Sequence, residues 1–253
     1  MQNSAKELFD NLKDTPVFRS SCGSCGLQKL CFANGLTPKD LAKLDSLVEK
    51  KTSLVKGEYL YKKGEVLQSF FAVKSGMVKV YSISENREEN IHGFYQTGDI
   101  LGLDALAYNE HPFSAVALDD SSVCEIPFEE LTSLAGNVPN LNGQLLHLMS
   151  QEIVNSRRHS SLLTQKTAEQ KIAYFILFKA LKLKSRGYLH TQFRLSILHK
   201  DVANYLSLTP ETISRILTKF NKENIVSWQK KEVNIFDESK LGELAGDRFN
   251  ECN

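Results

Sequence analysis

Apolar positions follow several rhythms along the chain. After Thr37-Pro38-Lys39-Asp40, the residues Leu41, Leu44, Leu47 and Val48 share one face at helical spacing, with Thr37 placed to cap the first turn. From about Ser53 to Pro127 the pattern changes to short runs, Tyr59–Tyr61, Phe70–Val73, Val78–Tyr81 and Ile91–Phe94. Lys63-Gly64, Ser75-Gly76, Asn86 and Gly98-Asp99 separate them, and Gly57, Gly64, Gly76, Gly98 and Gly102 suit tight turns. Many short strands with such punctuation predict an antiparallel sandwich closed into a β-roll. Asn140 to Lys166 contains Gly143 but no other Gly or Pro, and predicts one helix of about seven turns.

The C-terminal part predicts a helix over Ala168–Leu183, a short strand pair around Tyr188–Ser196, and two tightly joined helices. The first begins at Asp201. The second runs from Pro210 to Phe220, with Thr209 as its cap and Pro210 in the first helical position, where its missing N–H costs nothing. This is a helix-turn-helix, and Ile225–Trp228 with Val233–Phe236 supply a β wing. Ser207 stands in the turn, where a left-handed residue would cost roughly 1–2 kcal/mol. The fold class is α+β: a segment 1–35, a roll 36–139, a long helix 140–166 and a winged helix-turn-helix 167–253.

Charge sharpens this division. The net charge is +1, yet Arg157 to Lys231 holds fifteen Lys and Arg against four acids, a balance of +11, which leaves −10 on the rest. Such a block is either a solvated basic surface or a nucleic-acid footprint, and the helix-turn-helix within it favours the second. No apolar run of about 18 residues occurs, and Met1 to Lys13 is charged and amphipathic without the apolar centre of an export signal, so a cytoplasmic protein with no membrane partner is expected. Six scattered histidines, with no phosphate-binding glycine loop and no Ser/His/Asp set, give no basis for an enzyme.

The chemistry concentrates in cysteine. Of five, Cys22, Cys25 and Cys31 lie within ten residues, and Cys124 follows 93 positions later in Val123-Cys124-Glu125-Ile126-Pro127-Phe128. Four thiolates suit a 4Fe-4S cluster, one sulfur for each iron. They equally suit a tetrahedral zinc, and spacing alone divides the two evenly. Cys252 stands apart as incidental. On the long helix, Leu146, Met149, Ile153, Ser156, Ser160 and Leu163 fall at heptad spacing; such a stripe packs either on its own domain or on a second copy in a coiled coil. On the second helix of the helix-turn-helix, Glu211, Ser214 and Arg215 share one face, as an intrahelical ion pair or as a base-reading set.

A roll, a long helix and a winged helix-turn-helix in this order resemble the cyclic-AMP receptor superfamily of bacterial regulators. The cysteine spacing and the string Glu211-Thr212-Ile213-Ser214-Arg215 narrow the resemblance to its fumarate and nitrate reduction (FNR) branch. That resemblance implies a 4Fe-4S cluster on Cys22, Cys25, Cys31 and Cys124, converted by oxygen to 2Fe-2S and then lost. It also implies a homodimer that binds double-stranded DNA at a TTGAT-like inverted repeat and works with RNA polymerase. Gly26, directly after the second ligand, would leave the cluster open to oxygen on one side. The cyclic-nucleotide branch holds its phosphate with a Gly-Glu pair and an Arg-Ser pair; here Gly102-Leu103 and Phe113-Ser114 lack the needed charges, so no cyclic nucleotide is expected. Regulators of the FNR branch carry an acid and an aliphatic residue where Ser156 and Ser160 stand, which shifts the expected dimer packing onto Leu146, Met149 and Ile153.

Overall fold

The computed structural model describes residues 21–48 and 50–246. Met1 to Lys13 and Cys252 lie outside them. The chain divides into two units, one formed by residues up to Ser82 with Gly93–Glu152, the other by Ile83–His92 with Ile153 onward.

In the first unit, helix α1 (Pro38–Leu47) starts where the sequence places it, with the Thr37 hydroxyl accepting from the Asp40 N–H. Eight strands follow: β1 (Lys50–Leu54), β2 (Tyr59–Tyr61), β3 (Ser69–Ser75), β4 (Met77–Ile83), β5 (Glu89–Gln96), β6 (Ile100–Leu101), β7 (Ser114–Ala117) and β8 (Ser121–Pro127). They form two four-stranded sheets, ordered β1-β8-β3-β6 and β2-β7-β4-β5. Gly76 makes the β3–β4 turn at φ 83°, and a Cβ there would overlap Ser121, so the position needs glycine twice over. Helix α2 (Phe128–Asn137), which the sequence pattern did not reveal, follows β8 directly. The long helix α3 (Pro139–Gln165) comes next, within one residue of the expected bounds.

Alternation along β3 and β8 decides where the site lies. Phe71, Val73 and Val123 face a core between the two sheets, with Val78, Val80 and Leu101. Phe70, Ala72 and Ile126 face the opposite way, into a second core with Phe32, Leu44, Leu131 and Leu141. Because side chains alternate strictly, Cys124 shares the side of Ile126 and is delivered to the helix-covered core.

The second unit contains helix α4 (Ala168–Ser185), β9 (Gln192–Arg194), α5 (His199–Tyr205), α6 (Pro210–Lys222), β10 (Val226–Gln229), β11 (Glu232–Ile235) and α7 (Glu238–Ala245). The expected strand pair near Tyr188–Ser196 is a single strand. Its partner lies in the wing, since β9 pairs with β11 through Phe193 and Val233. A three-stranded sheet, β10-β11-β9, results. Thr167 opens α4 with a full capping box to Gln170. Ser207, between α5 and α6, has φ 51° and is left-handed. The neighbouring Leu206 carbonyl is held by the Lys171 ammonium at 3.4 Å, which fixes the turn despite the strained residue. Ser207→Gly is therefore expected to stabilise the protein by about 1 kcal/mol in urea unfolding; an unchanged midpoint would show that the turn carries no strain.

Candidate metal centre and nucleic-acid interface

Two one-turn 3-10 helices, Cys22–Ser24 and Gln28–Leu30, carry the cysteine loop. Burial anchors its far end, because Phe32 and Ala33, next to Cys31, are 0% and 1% exposed. A carboxylate anchors the near end: the Cys22 N–H donates to Asp45 Oδ1 at 2.7 Å. Cys22, Cys25, Cys31 and Cys124 are all free thiols and only partly exposed. The four line one pocket with Leu27, Phe32, Leu44, Val48, Ala72 and Ile126, enclosing about 500 Å³ of space, part of it open to solvent. Gly26 is exposed at the edge of this loop, and a side chain there would meet nothing within 4 Å.

The thiols are electrically coupled. Burial pushes Cys22 up to about 12, reinforced by the hydrogen bond and charge of Asp45 and by Cys31 and Cys124. Burial likewise pushes Cys31 up to about 11, against the Ala33 N–H that donates to its sulfur at 3.5 Å; ionised Cys25 and Cys124 raise it further. Acids that share an apolar wall and repel one another's ionised forms hold their protons until a cation takes their place. Among the described residues, no three His, Cys, Asp or Glu side chains are gathered closely enough for a single metal ion. The four cysteines line one pocket. Asp45 carries no motif and meets Cys22 only through the fold, so the sequence pattern did not single it out.

On α3, Leu146 and Ile153 are 57% and 55% exposed, as is Val154 at 42%, which the heptad reading left out. Ser156 and Ser160 are exposed and Met149 and Leu163 half-buried, whereas Leu162 turns inward. Leu141, Leu145 and Leu148 pack on the cysteine-bearing core. The helix thus has one occupied face and one open apolar face.

Recognition geometry is set by α6. Thr209 caps it by accepting from the Thr212 N–H, and Ile213, Ile216, Leu217 and Phe220 are buried. That burial turns Glu211, Ser214 and Arg215 outward, all exposed. The Glu211 carboxyl is held below its usual range by its own backbone N–H and by Thr209, and so presents an ionised acceptor at the start of the helix. An ion pair from Lys219 to Glu169, 2.8 Å, braces α6 against α4.

The side chains of Leu103 and Phe113 are both spent on packing. Leu103 lies against the core with Phe70, and Phe113 against the core between the sheets. No helix among the described residues is long and apolar enough to cross a membrane.

Comparison with known proteins agrees with this architecture. The Cyclic nucleotide-binding domain family matches residues 51–137, and the Crp-like helix-turn-helix domain family matches residues 170–244. The Fumarate and nitrate reduction regulatory protein of Yersinia pestis is 41% identical over 225 residues, covering 89% of this chain and 90% of that protein. The Transcriptional activator protein anr of Pseudomonas aeruginosa is 39% identical over 239 residues, covering 94% and 98%. Among solved structures, FixK2 from Bradyrhizobium japonicum superposes with a TM-score of 0.72 at 25% identity, over 78% of this chain and 98% of that one. With roll, long helix and winged helix-turn-helix in the same order, and relatives of this identity over nearly their whole length, the chain belongs to the CRP/FNR family of transcription regulators and is not an enzyme.

Proposed function

We propose that this regulator senses oxygen in the cytoplasm through a 4Fe-4S cluster held by Cys22, Cys25, Cys31 and Cys124, and that it binds DNA as a homodimer when oxygen is absent. The observation that carries the reading is the meeting of four free thiols, from a loop and from β8, around one apolar pocket. A single zinc ion needs its sulfurs converged at about 2.3 Å from one point, whereas a cluster takes one thiolate at each of four irons. Four cysteines lining one apolar pocket supply one sulfur for each iron. Bound there, the cluster supplies an oxygen-labile inorganic core.

The protein's own residues do the rest. Apolar walls from Leu44, Val48 and Ile126 exclude water behind the thiols, and exposed Gly26, next to Cys25, offers no side chain as cover. The Ala33 N–H stabilises negative charge on the Cys31 sulfur. Leu146, Met149 and Ile153 supply the dimer seam, with Ser156, Ser160 and Leu163 adding little packing. Arg215 donates to a guanine edge, Glu211 accepts from a cytosine amino group, and Ser214 contacts a neighbouring base of a TTGAT-like half-site. RNA polymerase is the further partner, as for other activators of this kind. No cyclic nucleotide takes part, because Leu103 and Phe113 offer no charge to a phosphate.

An anaerobic absorption spectrum followed through exposure to air tests the cofactor. The purified protein should be brown, bleach in air, and lose its visible absorption altogether in Cys124→Ser; a colourless, air-stable protein with one zinc per chain would contradict the reading. For DNA, Arg215→Ala should cost about 1–3 kcal/mol with the guanine-containing half-site and discriminate poorly there in a competition assay. Equal weakening on every sequence would make Arg215 a phosphate contact instead.

A further inference from the structure

The cysteine loop is fastened to the long helix by two side-chain amides. Gln144 Nε2 donates to the carbonyl of Cys31 at 3.3 Å, and Asn140 Nδ2 donates to the carbonyl of Gly35 at 3.3 Å. The two are spaced i, i+4 and so lie on one face of α3. Between the two carbonyls the loop buries Phe32 and Ala33, and from the same side of the helix Leu141 is 0% exposed. Loop and helix start therefore pack as one block.

Leu146 lies two residues beyond Gln144, roughly 200° further round the helix. The residue that grips the cysteine loop and the residue that heads the open apolar face are back to back. The grip falls on Cys31 itself, so the peptide that Gln144 holds belongs to the same residue whose sulfur lines the pocket. A displacement of that residue displaces the acceptor of the bond. A helix is stiff over this length, so a shift or twist imposed at Gln144 appears on the opposite face at Leu146.

We infer that Gln144 is the positioning residue through which the state of the cysteine pocket sets the placement of the exposed face of α3 for a second copy of this chain. Asn140 is the secondary tether, holding the end of the loop while Gln144 reads the ligand residue. The inference rests on the cluster-dependent dimer proposed above. It adds where the coupling passes, through a side-chain amide to a backbone carbonyl, and it predicts that loading and dimerisation can be separated by one substitution.

The test uses the full chain, loaded anaerobically with iron and sulfide, in wild-type form and as Gln144→Leu and Gln144→Lys. Leucine matches the bulk but cannot donate; lysine can. Visible absorption and iron per chain report the pocket, and sedimentation over a concentration series reports the dimer. The Gln144 bond lies within each protomer, so its loss reaches the dimer only through the placement of α3, and Gln144→Leu should weaken the loaded dimer about tenfold. Absorption and iron content should match wild type, and Gln144→Lys should recover most of the association. Asn140→Ala, at an exposed position, should weaken it less.

A loaded Gln144→Leu protein that dimerises as wild type does would overturn the inference. So would equal weakening of loaded and cluster-free protein, which marks a general packing defect, or loss of absorption in parallel with dimer. Wild-type protein that acquires no visible absorption overturns the proposed function itself, and the wild-type spectrum tells that failure apart from the others.

Discussion

Phe32 holds the arrangement together. It follows Cys31 directly, is wholly buried, and packs its ring 6.1 Å from that of Phe70 on β3, which in turn meets Phe128 at the start of α2 edge-on at 5.5 Å. Burial of one such side chain contributes roughly 1.5–3 kcal/mol, enough to pin a loop that has little regular structure of its own. The ring carries Cys31 to the side of the sheet where Cys124 already points. Without that anchor, three cysteines on a short glycine-bearing loop would have no fixed relation to a fourth on a strand 93 positions away. With it, pocket, loop and the first turns of α3 share one core.

The same alternation that builds the core separates the protein's tasks. β8 sends Val123 toward the interior between the sheets and Cys124 toward the helices, so the roll keeps an intact core while its outer side carries chemistry. Leu103 packs against the helix-covered core and Phe113 against the core between the sheets. The fold is the family's, and the cysteine pocket lies on the helix-covered side of the sheet. In the second unit, the buried stripe of α6 fixes which way Glu211, Ser214 and Arg215 face, so their outward direction follows from Ile213, Ile216 and Phe220 as much as from their own chemistry.

Much of this was legible in the residues because it repeats or clusters locally. The cysteine spacing, the Thr209-Pro210 helix start and the uninterrupted stretch to Lys166 are signals within a few turns of chain, and α3 and α6 form where they indicate. The left-handed Ser207 was also readable, as an unusual residue in a turn that prefers glycine. What could not be read were contacts made by side chains with distant backbone. Asp45 with the Cys22 N–H, and Asn140 and Gln144 with the loop carbonyls, join positions 23, 105 and 113 residues apart and leave no periodic trace. Helix α2 escaped because its ten residues sit between a strand and a longer helix without a distinctive start, and β9 escaped as a lone strand because its partner belongs to the wing.

In the proposed function the cysteine pocket controls the open face of α3. That face is apolar at Leu146 and Ile153 but hydroxyl-bearing at Ser156 and Ser160. Sedimentation velocity of the wild-type chain, anaerobic and iron-loaded in one cell and air-treated in another, addresses this most directly. A dimer in the first and a monomer in the second is the predicted result; a dimer that persists unchanged after the iron is gone would contradict it.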